Sequence, residues 1–412
     1  MNDNYRLEVK DGVLETMAAF LRRLLEGGMV DALLVPVRTP TGDNVVQTLI
    51  TDPTMLGNVD PVAPVLPVNS ARLVSDLTAT GAVGRLGAVL RSCEVRALIE
   101  LVKLKQASLD NVVLIGVDCL GTYEMNDYAE LAAGSNGNPS TGPWSFGTCP
   151  GPFVLGPKDQ GRQVQGPGTK GSGHRLSTDL LAQAKEGHIA PHEGHQFRVA
   201  CQLCEQPVPQ GVDLALGLIG LDTARELLIT ASDELAERLD LSPAEVPAAR
   251  QEAVDGLVAA RTAERDRRFA EIRQRVVDMP SLLAEFSRCI RCHNCMVACP
   301  VCYCKECIFH TATFDHASAQ YFRWATRKGS IRMPTDTLIF QLTRLNHMAT
   351  SCVGCGMCES ACPNDLPVAT IFRAVGEKVQ ALFDYVPGRS LEEELPVATF
   401  REDELTSLGE RE

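Results

Sequence analysis

Apolar residues near the start of the chain follow a helical period and then give way to strand-like runs. They recur at every third or fourth position from Leu14 to Leu24, which predicts an amphipathic helix that the pair Gly27–Gly28 ends. Two apolar runs follow, Ala32–Val37 and VVQTLI, with the turn signal TPTGDN between them. We therefore expect one helix followed by two short strands.

The next three segments predict a βαβ unit with a cysteine after each strand. RLGAVLR is typical of a strand, EVRALIELVKLKQ of a helix and NVVLIGV of a second buried strand. Such a unit has a right-handed crossover and parallel strands. Cys93 and Cys119 therefore lie at the same carboxyl edge of the sheet, where α/β proteins bind ligands. The helix N-terminus also favours an anionic group at Cys93.

Two later segments change in composition. Residues 134–173 are rich in Gly, Pro, Ser and Asn, which predicts a long irregular loop. Residues 223–280 are highly charged with a helical pattern, so we interpret them as a solvated helical connector between domains. A partner-binding coiled coil is the alternative, although the apolar heptads are poor. The α/β domain that precedes this connector is expected to cover residues 1–222.

Length and charge narrow the class of protein. A chain of 412 residues is long enough for two or three domains. Its net charge of -13 argues against partners such as nucleic acid or an anionic membrane surface. The first residues, MNDNYRLEVK, lack an apolar segment behind a basic start, and no apolar run approaches the roughly 20 residues that span a bilayer. We expect a cytoplasmic protein without direct membrane insertion.

The cysteines are too many and too clustered for structural thiols. There are 16, and eleven of them lie from residue 289 onward. In a reducing compartment such clusters are typical of metal binding rather than of a disulfide framework.

Two cysteine runs repeat one pattern, C-x₂-C-x₂-C-x₃-C-P. In this pattern three closely spaced thiolates hold one [4Fe–4S] cluster, and the fourth ligates the other cluster. The first predicted ferredoxin set is Cys289, Cys292, Cys295 and Cys362, and the second is Cys352, Cys355, Cys358 and Cys299. Zinc is the alternative, but zinc sites use pairs of ligands rather than two such runs.

The 52 residues between the two runs are too many for a compact bacterial ferredoxin. Leu338, Leu342, Leu345 and Met348 share one helical face just before Cys352, which predicts core packing in a helical domain. We expect an α-helical dicluster ferredoxin-type domain over residues 281–385 and an extended acidic tail over 386–412.

Two further cysteine groups leave alternatives open. Cys93, Cys119, Cys201 and Cys204 together hold either a third [4Fe–4S] cluster or a zinc ion. The stretch VCYCKEC contributes Cys302, Cys304 and Cys307. These three form a further metal site with Cys149 as fourth ligand, or they are redox-inert thiols.

Three stretches, AVLRSCEVRALIEL, VVLIGVDCLGTYE and CQLCEQPVPQGVDLALGLIG, resemble the beta subunits of deazaflavin-reducing hydrogenases and of formate dehydrogenases. In that family a cysteine follows each of two strands, and a CxxC precedes a D-x-x-x-G strand. The matching cysteines of this chain are Cys93, Cys119, Cys201 and Cys204, and the matching strand is Asp213–Gly217. The C-terminal FDYVPGRSLEEELPVATFREDEL is similar to bacterial members that carry a dicluster module.

The resemblance implies a function. It implies an FAD near Cys93 and Cys119, beside an N-terminal cluster, and a partner that is a subunit of a hydrogenase, formate dehydrogenase or heterodisulfide-reductase-like complex. The chain is then an oxidoreductase subunit that passes electrons between a flavin site and its partners through [4Fe–4S] clusters. The alternative is a non-catalytic electron-transfer and assembly subunit without flavin.

Overall fold

A computed structural model describes residues 2–81, 84–134 and 172–398. Cys149, residues 135–171 of the predicted irregular loop, and residues 399–412 of the predicted acidic tail lie outside this description.

In the described residues, eight strands form one mixed sheet in the order β3-β2-β4-β5-β6-β7-β1-β8. Parallel pairs join β2, β4, β5 and β6, and the predicted parallel pairing within the βαβ unit is confirmed. The remaining pairs are antiparallel. The strands are β1 (Asn2–Glu8), β2 (Ala32–Arg38), β3 (Val45–Ile50), β4 (Leu86–Arg91), β5 (Val112–Val117), β6 (Leu214–Gly217), β7 (Glu226–Ser232) and β8 (Ser242–Pro243).

The α-helices of the described chain precede, follow and connect these strands. In chain order they are α1 (Val13–Glu26), α2 (Ser70–Thr78), α3 (Ser92–Lys103), α4 (Met125–Ala133), α5 (Ser172–Ala184), α6 (Val199–Gln202), α7 (Asp233–Arg238), α8 (Ala248–Arg275), α9 (Met279–Glu285), α10 (Asn294–Val297), α11 (Ser318–Lys328), α12 (Thr337–Met348), α13 (Met357–Ser360) and α14 (Val368–Leu382).

The sheet separates two hydrophobic cores because successive strand residues point to opposite faces. In β2, Leu33 packs into the first core, which includes α1 and α5, whereas Leu34 packs into the second. The second core continues from the sheet through α3 into α14. Cysteines of both predicted ferredoxin sets pack against this second core, so the helical C-terminal region and the sheet share it.

The predicted helical connector, 223–280, is wrong in two respects. Glu226–Ser232 is not helical but forms β7, which pairs with both β6 and β1. Its apolar residues Leu227, Leu228 and Ile229 are all buried, as in a strand inside a sheet, and the charged sequence on either side concealed this short segment. The helix α8 is present as predicted, but it is not simply solvated, because Phe269 and Ile272 are buried in the second core.

The segment after α14 ties the C-terminal region to α3. The Glu100 carboxylate accepts hydrogen bonds from Tyr385 Oη over 2.5 Å and from the Gly388 amide over 2.8 Å. Arg96 donates to the carbonyls of Pro387 over 2.9 Å and Val353 over 3.0 Å. The first part of the predicted extended tail is therefore docked on the helix that carries Cys93. Among the helices of residues 2–81, 84–134 and 172–398, none combines the length and the apolar character that spanning a bilayer requires.

Candidate metal centres

The first predicted ferredoxin set lines a single cavity. Cys289 and Cys292 come from a tight loop in which Arg291 and His293 have positive φ, and Cys295 lies in α10 directly after it. Cys362 reaches the same cavity from beyond α13. Cys295 is buried, whereas Cys292 is exposed to solvent. The two distant runs thus meet here as the crossed pattern predicts.

The second predicted ferredoxin set is also gathered in space. Burial raises the pKa of the Cys299 thiol, and the nearby Cys355 and Cys352 raise it further. Burial likewise raises the pKa of Cys358 well above its usual value, with Cys299 and Cys352 contributing. Four mutually close thiols with so little solvent would resist ionisation, so a cationic iron core is the partner that suits them.

Arg344 on α12 lies between these two sets. Only 4% of this residue is exposed. Its Nη1 donates to Sγ of Cys295 and its Nη2 to the Cys295 carbonyl, both over 3.0 Å. Burial lowers the pKa of Arg344, but the thiols of Cys295, Cys358 and Cys299 favour its charged form. Their effect is the larger, so the pKa of Arg344 is raised. Its Nε has no hydrogen-bond partner in the described residues, which leaves one buried donor free beside the two cysteine sets.

The predicted apolar face of α12 is only partly correct. Met348 is buried, but Leu338, Leu342 and Leu345 are half-buried. The most buried positions are Thr337, Phe340, Gln341 and Arg344. Apolar periodicity could not reveal this rotation of the helix, because polar side chains occupy the positions that face the cysteines.

The N-terminal set lines a second cavity, at the sheet edge. Cys93 lies in the first turn of α3, Cys119 two residues after β5, and Cys201 and Cys204 in and just after α6. All four line this N-terminal cavity. The predicted common edge for Cys93 and Cys119 is confirmed, and it follows from the parallel pairing of β4 with β5.

Three arginines also line the N-terminal cavity. Arg91 donates to the Val65 carbonyl over 3.0 Å, and Arg261 donates to the Leu120 carbonyl over 3.2 Å. Arg198, with 4% exposure, is the third. Burial raises the pKa of the Cys119 thiol to about 11, with Cys201 adding to the effect and Arg91 opposing it. Four thiols and three cations together form a donor set that suits an anionic thiolate-ligated iron cluster.

Arg198 connects this cavity to the second ferredoxin set. Its Nε donates to Ser360 Oγ over 2.9 Å, and its Nη2 donates to the Cys355 carbonyl over 3.2 Å. Cys355 itself also lines the N-terminal cavity. Gly356 allows this approach, because a Cβ built on it would lie 2.2 Å from the Ala200 Cβ. Neither Arg198 nor Gly356 is recognisable from the sequence, because the Cys355 carbonyl that Arg198 binds and the Ala200 that Gly356 faces are more than 150 residues away.

The remaining described cysteines line neither of these two cavities. Burial raises the pKa of the Cys302 thiol, and the nearby Cys304 and Cys307 raise it further. Cys307 Sγ contacts Met296 Sδ at 3.7 Å, and Cys304 is exposed. Cys149, their predicted fourth partner, lies outside the described residues. Across the described ranges, no three His, Cys, Asp or Glu side chains converge as ligands of a single metal ion do. The ligands of a cubane bind different iron corners and need not converge on one atom.

The C-terminal region matches a family model described as "4Fe-4S dicluster domain" over residues 285–366. A domain of this kind holds two 4Fe–4S clusters. The match spans both cysteine runs, from the end of α9 to the residues just after Cys362.

Two curated relatives align with nearly the whole chain. A protein from Methanocaldococcus jannaschii named "F420-dependent formate dehydrogenase subunit beta" is 26% identical over 385 residues, which are 90% of this chain and 91% of the relative. A protein from Methanococcus maripaludis named "F420-dependent formate dehydrogenase 1 subunit beta" is 27% identical over 427 residues, covering 96% of this chain and 97% of the relative. The predicted resemblance is thereby confirmed.

One solved structure shows a weaker likeness. A chain of the F420-reducing [NiFe] hydrogenase complex from Methanosarcina barkeri, derivatised with xenon, is 9% identical. The superposition covers 67% of this chain and 93% of the hydrogenase chain, with a TM-score of 0.40.

Proposed function

We propose that this homologue of formate dehydrogenase beta subunits is an iron–sulfur electron-transfer subunit of a multi-subunit oxidoreductase. Its partners would be the other subunits of a formate dehydrogenase, hydrogenase or heterodisulfide-reductase-like complex. When bound, [4Fe–4S] clusters accept and release single electrons. The ligand sets would be Cys289, Cys292, Cys295 and Cys362; Cys352, Cys355, Cys358 and Cys299; and, at the N-terminal cavity, Cys93, Cys119, Cys201 and Cys204.

The observation that carries this proposal is the double position of Cys355. It belongs to the second ferredoxin set and also lines the N-terminal cavity. Arg344 in turn contacts the first set and lies beside the second. Each predicted cluster site therefore shares a lining or neighbouring residue with the next, which gives single electrons a continuous route. A protein whose cluster had only a structural role would not need several adjacent sites.

The protein's own residues would hold the sites apart from water and adjust their charge. Arg344 and the three arginines of the N-terminal cavity place positive charge against the predicted ligands. A fixed cation favours the more reduced, more negative state of a thiolate-ligated cluster. The order of sites would be the N-terminal cavity, the second ferredoxin set and then the first.

A flavin is the finer part of the proposal. The family resemblance supports an FAD near Cys93 and Cys119. A two-electron donor or acceptor would exchange its electron pair with the flavin, which would exchange single electrons with the adjacent cluster. The alternative, an electron-transfer subunit without flavin, shares all three cysteine sites. Denaturing anaerobically purified protein and recording the absorbance spectrum of the supernatant separates these two functions, because a noncovalent flavin is released and shows its own visible spectrum.

Iron content and spectroscopy test the electron-transfer function itself. Anaerobically purified protein is expected to hold about twelve iron atoms per chain, four for each cubane, and to show reduced-cluster signals in electron paramagnetic resonance after dithionite. About eight iron atoms would reject the N-terminal cluster alone. Stoichiometric zinc with little iron would reject the whole function.

A further inference from the structure

The segment that surrounds the first ferredoxin set has the opposite charge to the rest of the protein. Residues 288–336 carry seven Lys or Arg and three Asp or Glu, a net charge of +4, while the chain as a whole has a net charge of -13. Arg291 pairs with Asp336, so it is neutralised. Of the six exposed cations that remain, Lys305 is followed directly by the acidic Glu306. The other five lie on or near α11 or next to Cys289 in sequence: Arg288, Arg323, Arg327, Lys328 and Arg332. We call these five residues the basic surface.

The basic surface is mixed with exposed apolar side chains. Phe322 on α11 is 73% exposed, and Ile290 and Met333 are 59% and 58% exposed. No residue of α11 is buried. Large apolar side chains grouped with charges on an otherwise polar surface are typical of a protein contact.

This surface lies beside the site that ends the electron-transfer chain. Ile290 lines the cavity of the first ferredoxin set, next to the exposed Cys292. Arg332 donates to the carbonyl of Ser287, which brings the segment after α11 against the first cysteine loop. Electron exchange requires a partner's redox centre to approach closely, and among the described cysteines of the three predicted sites Cys292 is the exposed one.

We propose that the basic surface docks a redox protein whose own centre is rimmed by acidic residues. The inference rests on the proposed electron-transfer function and adds where and with what charge the partner binds. Acidic side chains on the partner would pair with Arg323, Arg327 and Lys328, while an apolar patch inside that acidic rim would cover Phe322. Complementary charge raises the rate of encounter and fixes orientation, which suits a short-lived electron-transfer complex.

A charge-reversal experiment tests this surface. The probe is an acidic bacterial-type dicluster ferredoxin, reduced beforehand, and the measurement is the second-order rate of cluster reduction in the holoprotein by stopped flow. The variant Arg323→Glu/Arg327→Glu/Lys328→Glu is expected to react at least about tenfold more slowly at low ionic strength. The loss should shrink at high salt, because added ions screen exposed charges.

The matched control reverses three exposed cations far from this surface. Arg6→Glu/Lys10→Glu/Arg225→Glu changes the net charge equally, and these side chains are 58%, 75% and 85% exposed. Its rate is expected to stay within about twofold of the unmodified protein. Reduction by methyl viologen radical, a small cation that needs no docking surface, should change equally in both variants and slow in neither.

Three results would overturn the proposal. The first is an equal loss of rate in both variants, and the second is no loss in either. The third is a dimer in solution that the α11 variant alone dissociates, which would assign the surface to a second copy of this chain. Dithionite reduction distinguishes these results from failure of the proposed electron-transfer function. If the cluster signals are normal but charge reversal at the basic surface has no effect, only the docking site is rejected.

Discussion

Arg344 Nη1 donates a hydrogen bond to Cys295 Sγ over 3.0 Å, and only 4% of the arginine is exposed to solvent. The guanidinium lies over the rings of Phe340 and Phe372, with its Cζ 5.6 Å and 5.1 Å from their centroids. These cation–π contacts hold the side chain between the two ferredoxin sets. A buried cation is costly without counter-charges, so its position indicates that negative charge develops around it.

Replacing Arg344 with Gln should make both C-terminal clusters harder to reduce. Loss of a fixed positive charge destabilises the reduced state, so both midpoint potentials are expected to fall, with the larger change at the set that contains Cys295. Arg344→Lys, which keeps the charge, should retain most of the original potentials. An anaerobic redox titration followed by electron paramagnetic resonance measures this.

The control for Arg344 is Arg38→Gln. Arg38 is also largely buried, with 14% side-chain exposure, but its charged neighbour is Asp60 at 3.9 Å rather than a cysteine. Both potentials should remain unchanged in that variant. Equal potentials in Arg344→Gln and unmodified protein would show that the arginine has only a structural role.

The crossed ligation predicts which signal each cysteine affects. Cys299→Ser should perturb the cluster that also uses Cys352, Cys355 and Cys358, while Cys292→Ser should perturb the other one. Cys304→Ser is the control, because this exposed thiol belongs to neither set. Electron paramagnetic resonance of the three reduced variants gives the answer. Loss of the same single signal in Cys299→Ser and Cys292→Ser would contradict the pairing.

Iron content discriminates between ligands for the N-terminal cavity. Cys201→Ser in the full chain is expected to reduce iron from about twelve to about eight atoms per chain, while Cys149→Ser leaves it unchanged. The full chain is needed because β7, which pairs with β6 and β1, lies beyond residue 222. A loss of four iron atoms in Cys149→Ser, with no loss in Cys201→Ser, would place a different ligand at this site.

Gly356 should be sensitive to a single methyl group. In Gly356→Ala, the new Cβ would lie 2.2 Å from that of Ala200 and force α6, with Cys201, away from Cys355. We expect a lower melting temperature of the holoprotein and slower electron exchange between the N-terminal and second sites. Gly329→Ala is the matched control, because Gly329 also has positive φ, at +79°, but nothing lies within 4 Å of its Cβ position.

The two glycines separate backbone strain from steric contact. A left-handed alanine costs about 1–2 kcal/mol in either variant. A fall in melting temperature for Gly356→Ala no larger than that for Gly329→Ala would mean that the contact with Ala200 relaxes freely.

The sequence by itself determined the local features of this protein. The period of apolar residues predicted α1, β2 and β3, and the strand–helix–strand pattern placed Cys93 and Cys119 at one sheet edge. The spacing of the two cysteine runs predicted the dicluster domain that the family match supports. These features depend on residues that are close in sequence, where backbone geometry limits the possible arrangements.

Only the tertiary structure decided what lies between the sites. The buried arginines Arg198 and Arg344 act on cysteines contributed by distant segments, and a strand such as β7 is recognised only when it pairs with β6 and β1. The rotation of α12 that faces Arg344 toward the cysteines contradicts its apolar pattern. A buried charge is stable only beside the counter-charge that folding brings to it, and no local period in a sequence records that distant partner.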